Sequence, residues 1–181
     1  MDINALKGRI AEALVESIFR QAGYTVSRLG RESQVQRLVK LGGDEFAPDF
    51  LVWKSVASSG AAHDLHQLLT VEVKYRANLV EFLRRDAAEL FEDAKRAWPN
   101  LYFVLVTDEP DDGRSCFQAV ALRDFEPAAG VPMTTDLHQL AVLDIYRRTV
   151  EEHEDLARTL FAALGSRRRR GERRGVVNEG A

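Results

Sequence analysis

LLTVEVKY, residues 68–75, is the stretch on which the reading of this chain turns. It alternates as a strand does, and side chains two apart on a strand share a face. Thr70, Glu72 and Lys74 therefore point one way, and Leu69, Val71, Val73 and Tyr75 the other. One face is apolar and packed. The other carries a carboxylate and an ammonium in the middle of a sheet. Just upstream, FLVW at 50–53 reads as a short buried strand, opened by Pro48-Asp49. If the two strands are neighbours, Asp49 and Glu72 converge beside Lys74. Taken alone, Glu-x-Lys also describes a solvent-facing polar stripe, and an Asp after Pro is a common turn residue.

Outward from these strands the pattern is regular. Residues 4–22 repeat apolar side chains at Leu6, Ile10, Leu14 and Ile18, which predicts a helix that stops at Gly23. Residues 24–29 alternate like a strand. Residues 34–41 are ambiguous, Gly42-Gly43 marks a turn, and 55–66 is polar enough for a loop or hairpin tip. Asn78 and Glu81 form a capping box for a helix running to Trp98 and halted by Pro99. LYFVLVT at 101–107 is a second buried strand, 108–114 a turn, and 116–122 another strand. Helices are expected at 137–146 and, capped by Thr149 and Glu152, up to Leu164. Hairpin-like strands followed by a strand–helix–strand crossover imply an α/β fold, a mixed sheet with helices packed on it.

The chain has 181 residues, 45% of them hydrophobic and 29% charged, which suits one globular domain at 1–166. A single cysteine, Cys116, excludes an intrachain disulfide and makes a cysteine-based zinc site an unpromising reading. No apolar run approaches a membrane span, and Asp2, Lys7, Arg9 and Glu12 break any signal-peptide pattern, so a soluble cytoplasmic protein is expected. Charge is unevenly placed. Residues 101–166 hold 5 basic and 12 acidic side chains, which suits a protein partner better than a nucleic acid. The tail 167–181 contains RRRRGERR and has nothing to bury, so it reads as disordered. It is either a solubilising end or an arm for phosphates.

Two carboxylates with waters suit Mg²⁺, or Mn²⁺ in its place, because a hard cation wants oxygen ligands and keeps part of its water shell. Such a metal activates water and offsets charge on a phosphoryl transition state, which an adjacent lysine also stabilises. On the helix at 4–22, Glu12 lies at the edge of the apolar arc, from which a carboxylate can reach along the sheet toward a site. Glu16 is more simply explained by a pair with Arg20.

Glu12 on a first helix, Asp49 after Pro48, and Glu72-Val73-Lys74 in the next strand resemble the PD-(D/E)XK nuclease superfamily. The opening KGRIAEALVESIFRQAGYTV, from Lys7, is similar to the start of Holliday-junction resolvases. The resemblance covers about residues 5–107. It implies a restriction-endonuclease-like fold, a metal held by Asp49, Glu72, Glu12 and the carbonyl of Val73, and Lys74 as the catalytic lysine. It also implies DNA as substrate and a possible homodimer. A Gln-x-x-x-Tyr motif of some exonuclease branches is absent from the helix after Lys74, and the Asp49–Glu72 spacer is long. The alternative is a catalytically silent module of this fold that binds nucleic acid or a protein.

Other residues read more plainly. His63 and His66 fit a solvated loop better than zinc, and His138 and His153 fit surface groups. Cys116 fits a buried apolar position, and Trp53 and Trp98 fit the core. Arg76, Arg84 and Arg85 could face phosphates or be ordinary helix-surface charge, and Asp44 and Glu45 are alternatives to Asp49.

Overall fold

The structure is a computed structural model that describes residues 2–29, 46–56 and 65–174, with side chains to 165 in the last helix. The ambiguous stretch 34–41, Gly42-Gly43, Asp44, Glu45 and His63 lie outside the described residues.

Helix α1 spans Ile3–Gln21. Asp2 caps it, its carboxylate accepting the Asn4 N–H at 2.9 Å. Gly23, at φ 85°, supplies the left-handed turn that ends it. Three antiparallel strands follow: β1 (Thr25–Arg28), β2 (Phe50–Val56) and β3 (Leu65–Tyr75). The β2–β3 hairpin is longer than its apolar centre suggests. Ser55 pairs with His66, so polar residues expected in the loop continue the ladder.

The helix expected over 78–98 is two helices, α2 (Leu79–Arg85) and α3 (Ala87–Ala97). Asn78 caps α2 as its sequence implies, accepting the Glu81 N–H at 2.9 Å. The break has a simple cause. Leu79 and Phe82 are buried, and the next buried residue is Ala87, five positions on. Five is longer than a helical step, so an unbroken helix would turn the charged, exposed Asp86 toward the sheet. Breaking at Asp86 brings Ala87, Phe91 and Ala94 back to the buried side.

Strand β4 (Leu101–Val106) is buried throughout and runs parallel to β3. Strands β5 (Phe117–Ala121) and β6 (Thr135–Asp136) extend the sheet antiparallel, giving the order β1-β2-β3-β4-β5-β6. The expected helix at 137–146 is instead two short 3-10 turns, Leu137–Gln139 and Ala141–Leu143, with Asp144 left-handed at φ 47°. Leu137, Leu143 and Ile145 are buried, and their spacing of six and two fits no single helix face.

The last helix, α4, spans Arg147–Arg174. It starts before Thr149, whose carbonyl accepts from His153, so Thr149 is not its cap. It also runs on past Leu164 into the stretch expected to be a disordered tail. An isolated glycine such as Gly165 is tolerated in a helix, and arginine is a good helix former.

Alternation along β4 divides the core. Tyr102, Val104 and Val106 join Val71, Val73 and Tyr75 of β3 under Ala11, Leu14 and Ile18 of α1 and Phe161 of α4. Leu101, Phe103 and Leu105 face the other way and pack on Phe82 and Phe91. The Phe91 and Phe103 rings lie 4.6 Å apart. The result is a mixed sheet between two helical layers. Among the described residues no helix is long and apolar enough to cross a membrane.

Candidate active site

The β2–β3 register places Phe50 opposite Val71, so Asp49 falls opposite Glu72 at the point where β2 begins. Among the described residues no strand pairs with β3 on that side from there to Tyr75. The side chain of Asp49 takes the place of the missing ladder partner. Its Oδ2 accepts the Val73 N–H at 2.7 Å, while the Asp49 N–H donates to Glu72 Oε2 at 3.1 Å. The other oxygen of Glu72, Oε1, accepts a hydrogen bond from Lys74 Nζ. Asp49, Glu72 and Lys74 are thus brought together, the condition that β2 and β3 be neighbours being met.

Position sets their electrostatics. Glu72 is 3% exposed, and burial followed by the Asp49 charge pushes its carboxyl up to about 7 despite Lys74. Burial also raises Asp49, against the pull of the Val73 N–H and the Lys74 charge. The Asp49 charge acts on Glu72 as a close like charge does, favouring its neutral form. Glu12 approaches from α1. Its carboxyl is raised by burial and then by Asp49, and lowered by Arg28, 3.7 Å away, and by Lys74. Glu12 therefore senses the pair from the edge of the site.

In a strand, the N–H and C=O of one residue leave by the same edge. Because the Val73 N–H meets Asp49, the Val73 carbonyl faces the same edge of β3. The donors gathered here are carboxylate and carbonyl oxygens, the set that suits a hard divalent cation holding several waters. Among the described residues no three His, Cys, Asp or Glu side chains are gathered as a metal-holding group. The fit is that of a cation bound by one or two carboxylates.

No family model, no curated protein and no solved structure matches this chain.

A second polar cluster, next to the first, was not read from the sequence. Lys7 is 8% exposed. Its Nζ donates to Asp108 Oδ2 at 2.6 Å and to the Tyr75 hydroxyl at 2.9 Å, and it sits 5.2 Å above the Tyr75 ring. The Tyr75 hydroxyl in turn donates to Asp108 Oδ1 at 2.6 Å. Burial works against the Asp108 carboxylate, but the hydrogen bonds from Lys7 and Tyr75 outweigh it and hold its pKa below the ordinary value. Burial and Asp108 push the Tyr75 hydroxyl well up, so it stays a donor. The signal was present: Lys7 lies one helical step before Ala11 and two turns before Leu14, in line with the buried stripe.

Other readings resolve individually. Glu16 pairs with Arg20 at 2.8 Å as its spacing implies, and also with Arg28 at 2.6 Å. His153, expected at the surface, is buried. Its ring bridges the Thr149 carbonyl, at 2.7 Å, and Ser17 Oγ on α1, at 2.9 Å. A lone histidine at the start of a helix gives no hint of a partner so distant in sequence. Cys116 is fully buried, and burial pushes its thiol up to about 11, so it is not a nucleophile. Trp98 is half-buried and donates to the Phe46 carbonyl at 2.9 Å. Arg84 and Arg85 are exposed, and Arg85 pairs with Glu81. Arg76 is half-buried, its guanidinium 4.4 Å above the Phe82 ring.

Proposed function

We propose that this protein is a nuclease that hydrolyses phosphodiester bonds of DNA with Mg²⁺ or Mn²⁺, and that its mixed sheet is a restriction-endonuclease-like core. One observation carries the reading. Asp49 and Glu72, far apart in sequence, meet on adjacent strands with Lys74 on Glu72, in the order and on the elements of the PD-(D/E)XK pattern.

In this reading Asp49 and Glu72 hold the metal, with the Val73 carbonyl on the same edge and Glu12 nearby. The metal supplies Lewis-acid activation of water and charge neutralisation. The residues prepare for it. A carboxyl raised to about 7 gives up its proton readily at neutral pH when a cation takes its place. The Asp49–Val73 hydrogen bond fixes one carboxylate to the backbone of the strand that carries the other. Lys74, released from Glu72, orients the attacking water and stabilises negative charge on the phosphoryl oxygens.

The test is cleavage of a DNA panel (junction, flap, duplex, single strand) with Mg²⁺ or Mn²⁺, wild type against Lys74→Ala. The expected result is metal-dependent cutting that falls about a hundredfold or more in the variant. Equal cutting by the variant would assign the activity to a contaminant. No cutting on any substrate would favour the second reading, a silent module of this fold. The observation behind that reading is the excess of acidic side chains over 101–166, which suits a protein partner. A homodimer, implied by the same resemblance, is read from sedimentation of the purified chain.

A further inference from the structure

At its far edge the sheet ends in β6, two residues long and paired only with Gln118 and Ala119. Strand β5 runs on to Ala121. The Thr107 N–H donates to the Cys116 carbonyl at 3.0 Å, which fixes the phase of the β4–β5 ladder. Counting from that bond, Gln118 and Val120 turn their backbone groups to β4, while Ala119 and Ala121 turn theirs outward. Ala119 meets Thr135 of β6. Among the described residues no strand meets Ala121 on that side, and it lines a cleft of about 340 Å³. Phe125 lines the same cleft from one layer of the core and Leu140 from the other, so the end of β5 sits in an apolar slot.

A second cleft, of about 210 Å³, adjoins the first. Pro132 and Met133 line both, and Val80 and Leu83 of α2 form the far side of the second. The wall between the clefts stands out from the surface. Pro132 is buried, while its neighbours Val131 and Met133 are 53% and 90% exposed. Arg114 fixes the end of this segment. Its Nη2 donates to the Thr134 carbonyl at 3.0 Å and its Nε to Asp136 Oδ1 at 2.8 Å. An apolar side chain exposed on its own is ordinary. Here Val80, Val131 and Met133 rim adjoining clefts at an unpaired strand end, and a methionine adapts its shape to what it meets.

The rim carries one sign of charge. Glu109 and Asp111 are exposed at the smaller cleft, and Asp124 and Glu126 at the larger. Among the described residues lining either, Arg114 alone is basic, and Asp136 meets its charge. The pair of Asp124 with Arg123, at 3.5 Å, is exposed and worth little. Such a rim repels phosphates and attracts a basic protein segment.

We propose that this edge docks a basic, apolar segment of a partner protein, which adds a strand to β5. Its main chain pairs at Ala121, its apolar side chains enter the slot between Phe125 and Leu140, and its Lys or Arg side chains meet the acidic rim. The proposal gives a place and a chemistry to the partner that the acidic excess over 101–166 suits. It holds with or without nuclease activity, because β4 separates β5 from the strand that carries Glu72.

The experiment measures binding of the peptide acetyl-Lys-Arg-Val-Val-Ile-Lys-Arg-amide to the full chain at low salt. One control peptide has Ser in place of its apolar residues, and another has Glu in place of its basic ones. Saturable binding, at least roughly tenfold tighter than either control and weakened by added salt, is expected. In the complex the Ala121 amide should exchange with solvent more slowly, the mark of strand pairing. The double variants Val131→Ser/Met133→Ser and Asp124→Lys/Glu126→Lys change only exposed side chains, so both should keep the wild-type Tm. Each should weaken binding at least roughly tenfold. Absent binding, controls bound as tightly, an unprotected Ala121 amide, or binding untouched in both variants would each overturn the proposal. So would a dimer of the chain alone that Val131→Ser/Met133→Ser dissolves, since a second copy would then occupy the surface. Neither variant should alter metal-dependent DNA cleavage, so the fate of this site and that of the nuclease are read separately.

Discussion

Glu72 carries two demands that conflict in the metal-free chain. It accepts from Lys74 and from the Asp49 N–H, which favours the carboxylate, yet it is buried beside Asp49, which favours the acid. Burial wins, and the folded carboxyl is raised from the ordinary 4.5 to about 7. Between those values the folded chain binds more protons than the unfolded one. The stabilisation is therefore fully present below about pH 4.5 and is lost as pH rises through about 7. Asp49 and Glu12, also raised, add in the same direction. In EDTA, stability should drop by roughly 2 kcal/mol between about pH 5.5 and about pH 8. Glu72→Gln should remove most of that dependence. Urea unfolding at the two pH values measures it, and a wild-type free energy flat across the window would mean that Glu72 titrates normally. At this scale Glu72 and Lys74 were legible in the sequence because a two-residue period fixes which side chains share a face, while Asp49 joined them only on the condition that its strand was the neighbour. Lys7 was not read, because its partners Tyr75 and Asp108 lie 68 and 101 positions away.

Elements are joined here by polar as well as apolar contacts. Lys7 on α1, Tyr75 at the end of β3 and Asp108 after β4 form a closed triangle of hydrogen bonds. Removing one member leaves the others buried and underpaired, which costs more than the intact network contributes. Lys7→Met should lower stability by about 3 kcal/mol, and adding Asp108→Asn should recover part of it. Denaturant midpoints of the single and double variants decide this. A double variant no better than the single would show that packing of the lysine stem, not charge, holds the corner. Element limits were less legible than element types. The α2–α3 break and the 3-10 turns at 137–143 follow from which side chains the sheet accepts, whereas local propensity permits a continuous helix in both places.

At the scale of the whole molecule, basic charge is concentrated at one end of the sequence, where α4 continues through the arginines to Arg174. The described core contacts of α4 are Val150, Ala157 and Phe161, all well before it. Deleting residues 167–181 should leave the urea midpoint unchanged. It should lower DNA affinity at low salt, and flatten the salt dependence by about 0.9 in log–log slope for each arginine that meets a phosphate. Binding curves at several salt concentrations test this, and an unchanged slope would leave the tail without a role on DNA. The sequence by itself determined the α/β class, the mixed sheet and the shared face of Glu72 and Lys74, because hydrophobic period and strand alternation are local properties. Only the tertiary structure decided that Asp49 stands opposite Glu72, that Lys7 is buried, and that among the described residues β3 outruns β2. Those facts depend on strand register and helix placement, which are set by contacts between residues distant in the chain.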